Sequence, residues 1–146
     1  MMKNKIIVFV GCITLGTALL TGIAYAHGSE KYIKDVKDDA QMQKLHAMMP
    51  MFSGASASLE SALEKKVAAA VEVETEKILA AIPDLKKSKP HKNVKQKKKF
   101  IELATTLETA LTATAARAKT NDFSGAMASF RKAEEVCAAC HAKFRD

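Results

Sequence analysis

The chain has 146 residues, a formal net charge of +7 at pH 7 and three cysteines. Its length is that of a single domain, and an aromatic content of 5% predicts a core filled mainly by aliphatic side chains. Only Cys137 and Cys140 lie beyond the first 26 residues, which excludes a scaffold held by several structural disulfides.

The N-terminal 26 residues have the three parts of a secretory signal peptide. Lys3 and Lys5 are followed by an uncharged, largely apolar stretch and then by Ala24-Tyr25-Ala26, a small-x-small cleavage sequence. We expect residues 1–26 to be removed, leaving an exported, periplasmic domain of residues 27–146 with a net charge of about +5. The alternative is an uncleaved anchor, since the apolar stretch is about the ~20 residues that span a bilayer. The cleavage sequence favours removal.

The rest of the chain has helical periodicity throughout. Strong helix formers dominate, and apolar residues recur at spacings of three and four. Helices are predicted over residues 31–63, 65–82, 94–118 and from 122–124 to 144. We expect Pro50 to kink or divide the first helix and Pro83 to end the second. The predicted fold class is all-α, an antiparallel four-helix bundle.

The fourth helix carries one Cys-x-x-Cys-His sequence, formed by Cys137, Cys140 and His141. This is the attachment sequence for c-type haem: two thiols add across the two haem vinyl groups, and the adjacent imidazole reaches the iron. On a helix the three residues share one face. Phe130 and Phe144 lie on the same side, so we expect both to contact a covalently bound haem c.

Other uses of the two cysteines are disfavoured. A disulfide between them would leave the adjacent histidine without a role, and a zinc site would need two more ligands. The remaining histidines beyond the predicted signal, His27, His46 and His91, show no paired metal spacing. A redox-active dithiol is also weakly supported, because no alternation of strands and helices surrounds the cysteines.

An exported four-helix chain with its haem sequence in the last helix resembles the cytochrome c′ family. The specific likeness covers residues 137–145 and the turn at Asn121-Asp122-Phe123. The resemblance implies that Cys137 and Cys140 hold the haem and that His141 is the proximal iron ligand. It also implies that the first helix faces the other side of the iron. Low-spin relatives place a methionine there, whereas five-coordinate members leave that position to small gases.

The first helix offers Met42, Met48, Met49 and Met51, with His46 among them. Met49 is the preferred distal ligand, because it lies on the inward stripe, and His/Met ligation suits an electron carrier. Met48 is the next choice if Pro50 rotates the helix face, and His46 is a third. Methionines at helical spacing are otherwise ordinary core residues, so an iron without a sixth ligand is also open.

These features predict a periplasmic mono-haem electron-transfer protein, with a five-coordinate protein that binds nitric oxide or carbon monoxide as the alternative. We expect no enzymatic activity, since no distal acid–base pair is evident. Residues 86–99 contain eight lysines and no acid. They form either a solvated face or a docking patch for an acidic redox partner or an anionic membrane surface. Nucleic-acid binding is not expected, because the patch has no interleaved aromatics. The resemblance leaves a homodimer open.

Overall fold

The computed structural model describes the backbone of residues 29–145 and the side chains of residues 40–145. Within residues 29–145 it contains four α-helices and no strands, which confirms the all-α class. These are α1 (Ser29–Glu64), α2 (Ala68–Lys87), α3 (Lys97–Lys119) and α4 (Phe123–Phe144), with a short 3₁₀ helix, Val94–Gln96, before α3. The predicted signal peptide, residues 1–26, lies outside the described residues.

Consecutive helices pack side by side, in an arrangement consistent with a four-helix bundle. The connections α1–α2 and α3–α4 are short, as expected for antiparallel neighbours. The deeply buried apolar residues come from all four helices and include Leu59, Val71, Ile78, Ile82, Leu111 and Phe130. Helices α1 and α4 make few direct contacts with each other. No helix within residues 29–145 combines the length and apolar character needed to span a bilayer.

Both helical prolines lie inside continuous helices. α1 runs through Pro50 as one helix, and the prediction that Pro83 ends α2 was wrong, because α2 continues to Lys87. Pro83 is exposed, whereas Ile82 and Leu85 on either side of it are buried. Burial of Leu85 in the turn that follows Pro83 offsets the lost backbone hydrogen bond. The helix ends at Ser88, whose hydroxyl donates to the Leu85 carbonyl at 2.7 Å.

The turn between α3 and α4 is held by Asp122, which is the N-cap residue of α4. Its carboxylate accepts a hydrogen bond from the Gly125 N–H at 2.8 Å and pairs with the Arg117 guanidinium at 2.9 Å. These hydrogen bonds lower the pKa of Asp122, the one from Gly125 most. A Cβ at position 125 would require both side chains to shift, so glycine leaves room for this ion pair. This cap fixes the residue at which α4 begins, and therefore the position of Cys137 along the helix.

Candidate functional site

A cavity of about 810 Å³ lies where α1 and α4 diverge. Its walls come from α1, α3, α4 and the end of α2, together with the α2–α3 connection. Leu45, Phe52, Leu103 and Leu107 are among its mainly apolar lining residues. The volume lies in the range of about 300–1,000 Å³ that small-molecule and cofactor sites occupy. The cavity can therefore accept a large, mainly apolar group.

The α4 wall of the cavity carries the motif that the sequence singled out. Cys137, Cys140, His141 and Phe144 all line it. Their spacing of three, four and seven residues places them on one face of α4 over two helical turns. Both thiols are half-buried and free, and the imidazole of His141 is exposed. The structure therefore presents both sulfurs and the imidazole to the same space.

Burial raises the pKa of both thiols. It is the main cause that raises the pKa of Cys140 to about 11, and the neighbouring Cys137 adds to the effect. Burial also raises the pKa of Cys137, with a further contribution from the negative charge of Glu134. Both thiols are accordingly protonated at neutral pH in the folded chain without a covalent group. Such thiols are poor nucleophiles until they ionise.

This shift predicts slow alkylation of Cys140 in the folded chain. The test uses a Cys137→Ala variant without attached haem, in which burial still raises the pKa of Cys140. At pH 9 the folded variant should react with iodoacetamide at least about tenfold more slowly than the same variant unfolded in urea. The rate should rise as the pH approaches 11. Since the unfolded thiol ionises first, near pH 9.0, stability should fall as pH rises between these values. Circular dichroism checks folding, and equal folded and unfolded rates would contradict the expected burial.

The candidate distal ligands on α1 differ in whether they line the cavity. Met49 lines the cavity together with His46 and Ser53. Met48 is only 8% exposed and belongs to the hydrophobic core, and it is not among the cavity-lining residues. Met42 and Met51 are partly buried against the core and also do not line the cavity. Of the four methionines, the structure therefore brings only Met49 to the same space as His141.

The two phenylalanines expected near the haem have different positions. Phe144 is buried, lines the cavity and packs edge-on against Phe100, with ring centres 5.3 Å apart. Phe130 is 1% exposed within the core and is not a lining residue. It lies on the same side of α4 as Cys137 but seven residues earlier, about 10 Å along the helix axis. The structure thus does not bring Phe130 to the cavity.

The position of Phe130 predicts a structural role. Phe130→Ala should lower the free energy of unfolding by about 3–5 kcal/mol, because a large side chain leaves a close-packed core. It should leave the absorption spectrum of any bound group unchanged. Urea unfolding followed by circular dichroism measures the first effect. Phe144→Ala is the matched comparison and should alter both properties. A spectral change in Phe130→Ala alone would place that ring at the bound group.

Sequence spacing did not reveal a histidine pair at the cavity. His46 on α1 and His91 in the α2–α3 connection both line it, with their Nε2 atoms 3.2 Å apart. The ring centres are 5.1 Å apart and the ring planes differ by 16°. Forty-five positions separate the two residues, so no local pattern could have paired them. Among residues 40–145, no three histidine, cysteine or acidic side chains come together as a metal site.

The lysines of residues 86–99 are partly compensated by nearby groups. Lys86 pairs with Glu108 at 2.6 Å and Lys99 with Glu102 at 3.2 Å. Lys97 donates to the carbonyl oxygens of Lys87 and Ser88, and burial lowers its pKa. Lys95 and Lys98 are exposed and form no ion pair within the described part of the chain. Uncompensated charge is thus concentrated at the beginning of α3.

No protein-family model matches the chain, and comparisons with curated proteins and with solved structures also found no match. The functional argument therefore rests on the residues of this chain and on the cavity they form.

Proposed function

We propose that this protein is a periplasmic mono-haem c-type cytochrome that transfers electrons, related in plan to the cytochrome c′ family. One observation carries the proposal: Cys137, Cys140 and His141 line the same cavity as Met49. The attachment sequence and a suitable thioether come from opposite helices, α4 and α1. An arrangement of that kind would hold a haem covalently and place one possible iron ligand on each of the two helices.

The donor set and the cavity both fit haem c. Cys137 and Cys140 would hold the group through thioether bonds, and His141 would be the proximal iron ligand. The apolar walls, including Leu103, Leu107 and Phe144, would cover the ring and exclude water. When bound, the haem supplies one-electron chemistry, because its iron cycles between the ferrous and ferric states.

Met49 would occupy the distal position. A thioether is a neutral, soft donor, and His/Met ligation raises the potential of haem iron. Ser53, one turn further along α1, has a small side chain that leaves room beside Met49. His46 is less suited to this role, since its Nε2 already faces His91 at 3.2 Å. The resulting function is electron transfer through the haem edge.

Absorption spectroscopy of the purified protein tests the proposal. We expect a low-spin, six-coordinate spectrum in both oxidation states, together with haem that stays bound after denaturation. Haem that is released by denaturation would overturn the assignment as a c-type cytochrome. A high-spin, five-coordinate spectrum in both states would remove Met49 as ligand while leaving the covalent attachment intact.

A five-coordinate, gas-binding protein is the second candidate. The observation that favours it is the apolar part of the α1 wall, where Leu45 and Phe52 lie beside Met49. Such a wall offers few hydrogen-bonding partners and suits uncharged diatomic ligands. Rapid carbon monoxide binding by the reduced wild-type protein would favour this candidate over electron transfer.

The lysines at the beginning of α3 would guide encounters with an acidic redox partner. We expect oxidation of the reduced protein by anionic ferricyanide to slow as ionic strength rises, because salt screens exposed charges. Lys95→Gln combined with Lys98→Gln should reduce both the rate at low salt and its salt dependence. Lys65→Gln with Lys119→Gln removes the same charge from exposed positions outside residues 86–99. Equal effects of the two double variants would contradict local docking.

A further inference from the structure

The imidazoles of His46 and His91 lie close enough together to bind one ligand jointly. The two Nε2 atoms lie 3.2 Å apart, and both residues line the cavity, His46 from α1 and His91 from the α2–α3 connection. One Nε2–H can donate to the other Nε2 when one ring is the Nε2–H tautomer and the other is the Nδ1–H tautomer. The pair thus presents two imidazole nitrogens to a common point at the protein surface.

The distances match those required of two ligands to one metal ion. Nitrogens that each lie about 2.0–2.1 Å from a tetrahedral ion are about 3.3 Å apart, close to the 3.2 Å in the structure. If both lone pairs point at that ion, the ring centres should be about 5 Å apart, against 5.1 Å here. Both comparisons agree with converging Nε2 lone pairs.

The segment that carries His91 is firmly held. Pro90 is buried, and the Lys92 N–H donates to the Phe144 carbonyl at 3.2 Å. The Asn93 side-chain amide donates to the Lys143 carbonyl at 2.7 Å. These contacts fix the connection against the end of α4, while His46 is fixed by its place on α1. The two imidazoles are therefore preorganised, which lowers the entropic cost of ligand binding.

We propose that His46 and His91 bind one divalent transition-metal ion of the zinc and copper class, with water completing its coordination. Neutral imidazole is a preferred ligand of these ions, and both rings are accessible from solvent. In the metal-bound state both Nε2 atoms would be unprotonated, with the proton of each neutral ring on its Nδ1. The ion would join α1 to the α2–α3 connection across the cavity. This site is distinct from the proposed haem ligands.

Calorimetric titration of the purified haem-loaded protein with zinc chloride, after removal of bound metal with a chelator, tests the site. We expect one equivalent to bind with micromolar affinity. His46→Ala and His91→Ala should each weaken binding by at least about tenfold, because loss of even an outer-shell group typically costs 10–100-fold. All proteins carry His27→Ala, because removal of residues 1–26 would leave His27 at the N-terminus, where its amine and imidazole together chelate zinc. Failure of the otherwise wild-type protein to bind zinc, or equal binding by all variants, would overturn the proposal.

Electron paramagnetic resonance with Cu²⁺ supplies an independent measurement. The spectrum of the wild type should show coupling to two imidazole nitrogens, and that of His91→Ala to one fewer. An unchanged spectrum would overturn the assignment of the ligands. The haem absorption spectrum distinguishes this site from haem ligation by His46. It should be the same in His46→Ala as in the wild type, and a spectral change would assign His46 to the iron and exclude the metal site.

Discussion

Replacing Cys137 and Cys140 together with alanine should abolish covalent haem attachment. Each thioether forms when a thiol S–H adds across one haem vinyl group, and alanine offers no such group. Intact-protein mass spectrometry should therefore show the mass of one haem on the wild type and none on the double variant. Each single Cys→Ala variant should retain at most one thioether, with a shifted absorption band from the vinyl group left unreacted.

Cys12→Ala is the matched control for this experiment, because Cys12 lies in the predicted signal peptide. It should leave the haem content unchanged. Wild-type protein that carries no haem mass, or a double variant that retains it after denaturation, would contradict the assignment. Loss of haem from Cys12→Ala as well would indicate a defect in export rather than in attachment.

Replacing Met49 with leucine should convert a six-coordinate, low-spin haem into a five-coordinate, high-spin one. Leucine preserves apolar volume but has no lone pair for the iron, so the change isolates ligation from packing. Carbon monoxide should then bind rapidly to the reduced variant. The midpoint potential should fall by on the order of 100 mV, since axial ligands tune haem potentials over about 0.8 V. Absorption spectroscopy and potentiometric titration measure these effects.

Met48→Leu provides the comparison, since Met48 is adjacent in sequence but buried in the core. It should leave spin state and potential unchanged, with a stability loss below about 1.5 kcal/mol for a volume-conserving exchange. If Met48→Leu changed the spin state and Met49→Leu did not, the distal assignment would pass to Met48. If neither variant did, no methionine of this pair would be the ligand.

Several parts of the fold could be predicted from the sequence. The four helices follow from apolar spacing and from the scarcity of strand-like alternation, and their observed bounds differ from the predicted ones by only a few residues at most ends. Pro83 is the clear exception: local propensity predicts a helix end there, whereas burial of Leu85 extends α2 by another turn. Such tertiary contacts regularly override a local preference.

The sequence by itself determined which reactive side chains share one face of α4. Cys137, Cys140 and His141 lie within about one helical turn, so their common face follows from helix geometry alone. Which side chain of one helix faces another helix is harder to predict, because each residue step along a helix turns the side chain by about 100°. Only the packing of α1 therefore decided that Met49 lines the cavity and Met48 does not. Only the tertiary structure brought His46 to His91, since their contact depends on how the anchored α2–α3 connection meets α1.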